Sequence, residues 1–432
     1  MVTTGIITVS VFILLILSIL FLPKVKIGKV EVGTYWIIAL LGASAYFICG
    51  VVPIERVAEG LTENSAVNPF KILVLFFSMT LISVFLDETG LFEYLANRAV
   101  ALAGKKQISL FVALYLLTSV LTVFTSNDIV ILTLTPIVCF FCKNAKINPI
   151  PYLVGEFAAA NTWSMALFIG NPTNVYLATK AGIEFLEFSR VMVLPTLAAG
   201  VVEFSLVVLI FYKKLKKPVE PTAVSAKIED KLSLIIGLIH LFICLVLLVL
   251  SGRIGVETWL ISAACAASLS VSALLVATIK KRGYKRVINT FTRLPWQLIP
   301  FVLSMFVIVI GIEYRGIAEW IGNALGDKAT VWTYGFSSMI AANLINNIPM
   351  SMLFSSVVGG IGKSVYLKAV YATIIGSNIG AFLTPVGALA GIMFTDLTKR
   401  CGAEYGFKEF IKYGVIISVP TIAIALLTLS IV

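Results

Sequence analysis

The 432-residue chain is short of charge, of histidine and of paired cysteine. Only 13% of its residues are Asp, Glu, Lys or Arg, against about 25% in a soluble globular protein. That shortage excludes a water-surrounded globule of this length. The one histidine, His240, lies in a peripheral apolar stretch and reads as structural. No nucleophile–base pair and no metal-ligand cluster stands out, so the chain does not read as an enzyme and no metal or organic cofactor is expected. The six cysteines (49, 139, 142, 244, 265, 401) have no spacing that resembles a disulfide framework. Cys139 and Cys142 are three apart and share a helix face. Such a C-x-x-C suggests a metal or soft-metalloid site, but Cys142 lies about 21 Å along a helix from Asp128, and the pair reads as two buried small hydrophobes. G-x-x-x-x-G-K-S/T is missing too, so the chain carries no phosphate cradle of that type. Any work it performs draws on an ion gradient or on a separate ATPase subunit.

What remains is apolar. Hydrophobic residues make up 59% of the chain, and the mean hydropathy is +1.01. Runs of about 18–22 apolar residues recur from end to end, the length that spans a bilayer at 1.5 Å per residue. The fold class is therefore an all-α polytopic membrane protein, placed in the cell (inner) membrane with the bilayer as its main partner. The net charge of +11 would suit nucleic acid, but the Lys and Arg residues sit in short loops, as the positive-inside rule requires, and no nucleic-acid partner is implied. Residues 5–22 have no basic residue before them and no A-x-A site after them, so they read as a first span rather than a cleaved signal. Lys24, Lys26 and Lys29 put the following loop inside and the N-terminus outside. The C-terminus is expected outside as well.

Four polar residues, Thr125-Ser126-Asn127-Asp128, interrupt two apolar runs at 108–124 and 129–142. Lys105 and Lys106 precede the pair and Lys143 and Lys146 follow it, so both ends lie on one side. The segment 107–143 reads as a re-entrant hairpin with its polar tip at membrane depth. The next segment, 149–180, reads as a broken helix, interrupted through Asn161-Thr162 and Gly170-Asn171-Pro172-Thr173-Asn174. Broken backbone at that depth is tolerated only where it lines a cavity. Residues 213–231 form a basic, proline-containing linker between two halves, 1–212 and 232–432.

The halves repeat one plan. Pro69-Phe-Lys-Ile matches Pro295-Trp-Gln-Leu, and Gly90-Leu-Phe-Glu-Tyr-Leu95 matches Gly316-Ile-Ala-Glu-Trp-Ile321, both at an offset of 226. Asn127-Asp128 matches Asn346-Asn347, Asn161 matches Asn378, and Pro195-Thr196 matches Pro420-Thr421. A second hairpin is expected at 330–358. A second broken helix is expected at 366–395, interrupted at Gly376-Ser377-Asn378-Ile379-Gly380 and again at Thr384-Pro385-Val386-Gly387. Loop charge puts the first hairpin in from the cytoplasm and the second from outside. The repeats are therefore inverted, an arrangement common in secondary transporters, each with about five spans plus a hairpin and a broken helix.

The centre would draw on Thr125, Ser126, Asn127, Asp128, Asn161 and Thr162, with Asn171, Thr173 and Asn174 beside them. The second half adds Asn346, Asn347, Ser377, Asn378 and Thr384. Amides, hydroxyls and half-helix ends suit a small oxygen-rich solute, Na⁺ or H⁺. A carboxylate at membrane depth is costly and reads as functional. Asp128 has no acidic counterpart, because Asn347 takes its place, and it is the candidate proton-coupling residue. It also reads as a helix cap at the tip. Glu156 is a second proton candidate, and Glu203 a third, otherwise packed beside a polar neighbour.

At these residues the chain resembles the ion transporter superfamily, and is most similar to the bacterial arsenite/antimonite permeases, the arsenical pump membrane proteins. The matching stretches are Leu86-Asp-Glu-Thr-Gly-Leu-Phe-Glu93, Ser126-Asn-Asp128 through Leu134-Thr-Pro136-Ile137, Gly170-Asn-Pro-Thr-Asn174, Asn346-Asn-Ile-Pro349 and Thr384-Pro-Val-Gly387. The resemblance implies export of arsenite or antimonite in exchange for protons, by alternating access. The plan is shared with Na⁺/H⁺ antiporters and with sodium-coupled carboxylate or sulfate symporters. The carboxylate carriers carry Ser-Asn-Thr at both tips. Here the tips are Ser-Asn-Asp and Ile345-Asn346-Asn347, which counts against a Na⁺–dicarboxylate symporter. Gly170-Asn-Pro-Thr-Asn174 resembles the Gly-Thr-x-Thr-Asn loop of the antiporters and separates neither reading. Coupling to H⁺, with Na⁺ as the other candidate ion, and assembly as a homodimer or with an ATPase subunit are compatible with the sequence.

Overall fold

The computed structural model describes residues 2–22, 24–27, 30–63, 68–219, 228, 230–281, 283–403 and 405–432. The first half opens with α1 (Val2–Phe21), a two-stranded antiparallel ribbon β1 (Lys24–Ile27) and β2 (Val30–Gly33), and α2 (Thr34–Ile48). Then come α3 (Ile54–Thr62), α4 (Pro69–Glu88), α5 (Leu91–Ala103), α6 (Gln107–Phe124) and α7 (Asn127–Asn144). The broken segment is α8 (Ile150–Trp163), a 3-10 turn at Phe168–Gly170 and α9 (Pro172–Lys180), and α10 (Phe185–Leu215) closes the half.

The second half follows the same order. It comprises α11 (Lys231–Ile254), α12 (Thr258–Ile279), α13 (Lys285–Thr292), α14 (Leu298–Tyr314) and α15 (Ile317–Leu325), then α16 (Thr330–Ile345) and α17 (Asn347–Val357). Its broken segment is α18 (Lys363–Gly380), a 3-10 turn at Pro385–Gly387 and α19 (Leu389–Arg400), before α20 (Phe407–Ile431).

Among the described residues, seven helices are long and apolar enough to cross a membrane. The count rises to eight if α14 and α15, bent by 73°, form one span. Local chemistry sets several starts. Pro69 and Pro172 occupy first-turn positions where a missing N–H costs nothing, and the Asn68 and Asn171 side chains accept from Phe70 N and Thr173 N at 2.9 and 3.2 Å.

Packing follows the repeat. Helix α14 packs on α2 as α4 packs on α12, α1 packs on α2 as α11 packs on α12, and α6 packs on α8 as α16 packs on α18. Further contacts between the halves put α7 against α19 and α17 against α9. Helices α10 and α20, each with an interior proline (Pro195, Pro420), pack on one another.

Ion pairs and polar ties gather in two sets. One joins Lys24 to Asp396, Arg400 to Glu31, Arg293 to Asp87 and Glu88, Arg286 to Asp230, and Val219 N to Lys105 O. The other joins Lys71 to Glu257 and Arg315 to the carbonyls of Gly50 and Val51.

Within the all-α fold, Lys24–Ile27 and Val30–Gly33 pair as a short ribbon, and α3 lies between α2 and α4. Two expected interruptions need correction. Asn161 and Thr162 lie inside α8, whose break begins only after Trp163. The second broken helix is intact at Gly376–Gly380: α18 runs through it, and the break begins only after Gly380. Asn378 Nδ2 donates back to Ile374 O at 2.8 Å and follows the helix instead of ending it. Gly376 serves close packing there, because a Cβ would collide with Ser338 Oγ and the Gly335 carbonyl of α16. Residues 220–227 and 229 of the expected linker lie outside the described residues.

Candidate functional site

The stretch expected as the first hairpin holds α6 and α7, with the break at Thr125-Ser126. Thr125 Oγ1 donates to Leu121 O at 2.6 Å, which ties the hydroxyl to its own helix end. Asn127 starts α7, and its Nδ2 donates to Asn161 Oδ1 on α8 at 3.2 Å. Asn161 in turn donates to Phe157 O at 2.8 Å, the same i−4 bond that Asn378 makes in the other half. The matched asparagines thus hold matched conformations.

Asn378 is the hub where the halves meet. Its Oδ1 accepts from Ser164 Oγ at 2.8 Å and from Asn171 Nδ2 at 3.0 Å, and its Nδ2 donates to Asn174 Oδ1 at 2.7 Å. Asn174 Nδ2 donates to Ser164 O at 2.8 Å, which closes the break after α8. Thr173 adds a hydroxyl bond to Asn171 Oδ1 at 3.2 Å. All of these side chains are buried. At the second tip, Asn346 Nδ2 donates to Val386 O at 3.0 Å and Thr384 Oγ1 donates to Asn343 Oδ1 at 2.7 Å. Asn346 has φ 72° and ψ 152°, a region that is essentially glycine's and that clusters at functional sites.

Of the expected site, Ser126 Oγ, Asn127 Oδ1, Asn347 Oδ1 and Ser377 Oγ are buried with no hydrogen-bond partner. Buried polar atoms are nearly always satisfied, so each such group calls for a specific explanation. Asp128 is half-buried although it lies deep within the packed interior. No hydrogen bond or ion pair reaches its carboxyl among the described residues, and Tyr35 of α2 lies within electrostatic range.

Glu156 sits apart from the amide hub. Thr135 Oγ1 of α7 donates to its Oε1 at 2.7 Å, its Oε2 has no partner, and its neighbours are Cys139 and Cys142. No Arg, Lys or His takes part in the hydrogen bonds of the hub among the described residues. No group of three or more His, Cys, Asp or Glu side chains is arranged to hold a metal ion there either.

Ser164, Asn343 and Tyr35 were not singled out from sequence. Asn343 carried a signal, a lone amide in an apolar run, whereas only the fold brings Tyr35 near Asp128.

A model of the citrate transporter family, CitMHS, matches residues 27–370. The arsenical pump membrane protein of Escherichia coli (strain K12) is 27% identical over 441 residues, covering 98% of this chain and 97% of that protein. A 46 kDa membrane protein of Mycobacterium leprae (strain TN) is 23% identical, with 90% and 91% covered. Among solved structures, the Alcanivorax borkumensis YdaH transporter shares the fold at a TM-score of 0.58 and 14% identity, over 99% of this chain and 97% of that one. With a family model spanning most of its length and helices that repeat a transporter plan, the chain belongs to the CitMHS citrate-transporter family.

Proposed function

We propose that the protein is a secondary active transporter that exports arsenite or antimonite in exchange for protons, by alternating access between two inverted halves. The observation that carries this is the asymmetry of the two tips. Asp128 stands on the first tip where Asn347 stands on the second, among oxygens that have no protein partner. A neutral trihydroxy acid can donate to Asn127 Oδ1 and Asn347 Oδ1 and accept from the hydroxyls of Ser126 and Ser377. One carboxylate in a water-poor site takes up a proton at modest cost and releases it when the site opens to water. Only the first tip can do so. The long cover of an arsenical pump relative supports this substrate.

The second reading is a Na⁺/H⁺ antiporter or a Na⁺/H⁺-coupled carrier of a small anion such as a carboxylate or sulfate. The family description favours a carboxylate. A citrate-like polyanion would, however, need cationic partners, and the hub supplies amides and hydroxyls. In either reading the membrane loops would set the sidedness: the set of polar ties around Arg293 and Arg286 faces the cytoplasm, and the set around Lys71 and Arg315 faces outward. We also propose a homodimer, or an ATPase subunit, as assemblies to look for.

The test is flux of As(III) into proteoliposomes under an imposed pH gradient, with and without Na⁺. Proton-linked As(III) movement is expected, and Asp128→Asn should remove the coupling while the protein elutes and melts as wild type. Absence of As(III) flux together with Na⁺-driven proton movement would select the second reading.

A further inference from the structure

Besides Asp128 and Glu156, a further carboxyl lies inside the protein, away from the amide hub, and the proton scheme above does not use it. Glu203, midway along α10, has 0% of its surface exposed. Its Oε1 accepts from the Tyr115 hydroxyl of α6 at 3.0 Å, while its Oε2 is buried with no partner. The Thr162 hydroxyl of α8 lies beside the same carboxyl as a second donor. An ionised carboxylate with only neutral hydroxyl donors and no cation is the costly form of a buried group, whereas the neutral acid is tolerated.

The neighbours leave no cation to change that. From α6 only Tyr115 faces the carboxyl. Helix α8 brings Thr162 and Trp163, while its Tyr152 and Glu156 bond elsewhere. The ionisable side chains of α20 (Lys408, Glu409, Lys412, Tyr413) occupy its first two turns, and His240 of α11 bonds Ile236 O and Ser268. Lys231 and Arg253 stand at the ends of α11, and Glu187, Arg190, Lys213 and Lys214 at the ends of α10 itself. None of these reaches Glu203 among the described residues.

Tyr115 has a choice of acceptor. Its oxygen lies 3.0 Å from Glu203 Oε1 and also 3.0 Å from Gly200 O, and it accepts from Trp163 Nε1 at 3.3 Å. The hydroxyl has one hydrogen to give. When Glu203 is charged that hydrogen belongs on Oε1, and when it is neutral Gly200 O competes. Trp163 is the last residue of α8, immediately before Ser164 and the break. Its ring lies hard against Gly200, where an added Cβ would come within 2.6 Å.

We propose that Glu203 is a second proton-binding site, built from α6, α8 and α10, which reports to the broken end of α8 through Tyr115 and Trp163. Loss of its proton leaves a carboxylate, and the Tyr115 hydrogen turns from Gly200 O to that carboxylate. The change shifts the Trp163 indole that abuts the break. The site stands on these contacts, and only its link to flux rests on the transport reading above.

The test uses the full-length protein in lipid nanodiscs. Infrared difference spectra across alkaline titration are compared for wild type, Glu203→Gln and Tyr115→Phe, with tryptophan fluorescence over the same range. Wild type should lose a carboxylic-acid carbonyl band and shift its tryptophan emission together. Glu203→Gln should lack both changes, and Tyr115→Phe should keep the band change but lose the emission shift. A full set of carbonyl changes in Glu203→Gln, or an unaltered emission shift in Tyr115→Phe, would overturn the proposal. In liposomes, pH-gradient-driven As(III) flux should fall about tenfold in Glu203→Gln. If wild type carries no As(III), the transport reading fails, and the spectra still decide the proton site.

Discussion

Single side chains divide here into those that bind each other and those left without partners. Asn378 is the clearest of the first kind, with Ser164, Asn171 and Asn174 all on its amide. Asn378→Ala should lower the melting temperature in detergent, with a loss of about 1–3 kcal/mol from orphaned buried amides. Asn127→Ala removes one bond to Asn161 and should cost about 0.6 kcal/mol, the average for a polar contact between membrane helices. Stability near Asn378 should thus be several times more sensitive than stability at the tip. Most of the polar centre could be named from sequence, because amides in an apolar run have no other reason to be there. The pairing could not. Which asparagine meets which depends on the path of the chain after Trp163 and after Gly380.

Outside the membrane, Asp230 caps α11 through Ser233 N at 3.2 Å and pairs with Arg286 at 2.7 Å. Burial pushes its carboxyl up, but the hydrogen bonds from Arg286 and Ser233 outweigh that and hold it well below the usual carboxylate range. A folded value depressed below the unfolded one, about 3.9, means a stabilising effect that is full above pH 4 and fades as the pH falls through the folded value. Asp230→Asn should therefore melt several degrees lower than wild type at pH 7, with a gap that narrows below pH 4.

At the level of elements, the hydrophobic runs and their caps dictate where helices lie, and the sequence placed both tips within a residue or two. It placed the break at Thr384-Pro385-Val386-Gly387, where the helix does stop, and added another at Gly376–Gly380 because glycine and asparagine together resemble a turn. In α18 the glycine is there for contact with α16. Gly376→Ala should therefore cost about 1–3 kcal/mol by overpacking, visible as reduced yield of monodisperse protein. Gly359→Ala, with open space at its Cβ position, is the control and should be neutral. The ribbon strands Lys24–Ile27 and Val30–Gly33 and helix α3 escaped notice because they are short, with too few residues for periodicity to register.

For the whole molecule, the sidedness proposed from the repeat and the loop charges can be checked by labelling. In a cysteine-free background, single cysteines at Lys143 and Lys328 should react with an impermeant maleimide from opposite faces, the first from the cytoplasm. Labelling of both from one face would cancel the inversion. The sequence supplied the matched motifs, which sit on corresponding helices. It gave no sign of the exchange by which α7 lies against α19 and α17 against α9. That exchange has a consequence for biosynthesis. When the ribosome has made residue 215, α7 still lacks its partner, which begins at Leu389. Until then α7 packs only on helices of its own half, such as α5 and α8, and its contact with α19 waits for the second half to be translated and inserted. A chain cut at the linker should leave each fragment unstable alone, and only co-synthesis of the two should restore a folded protein.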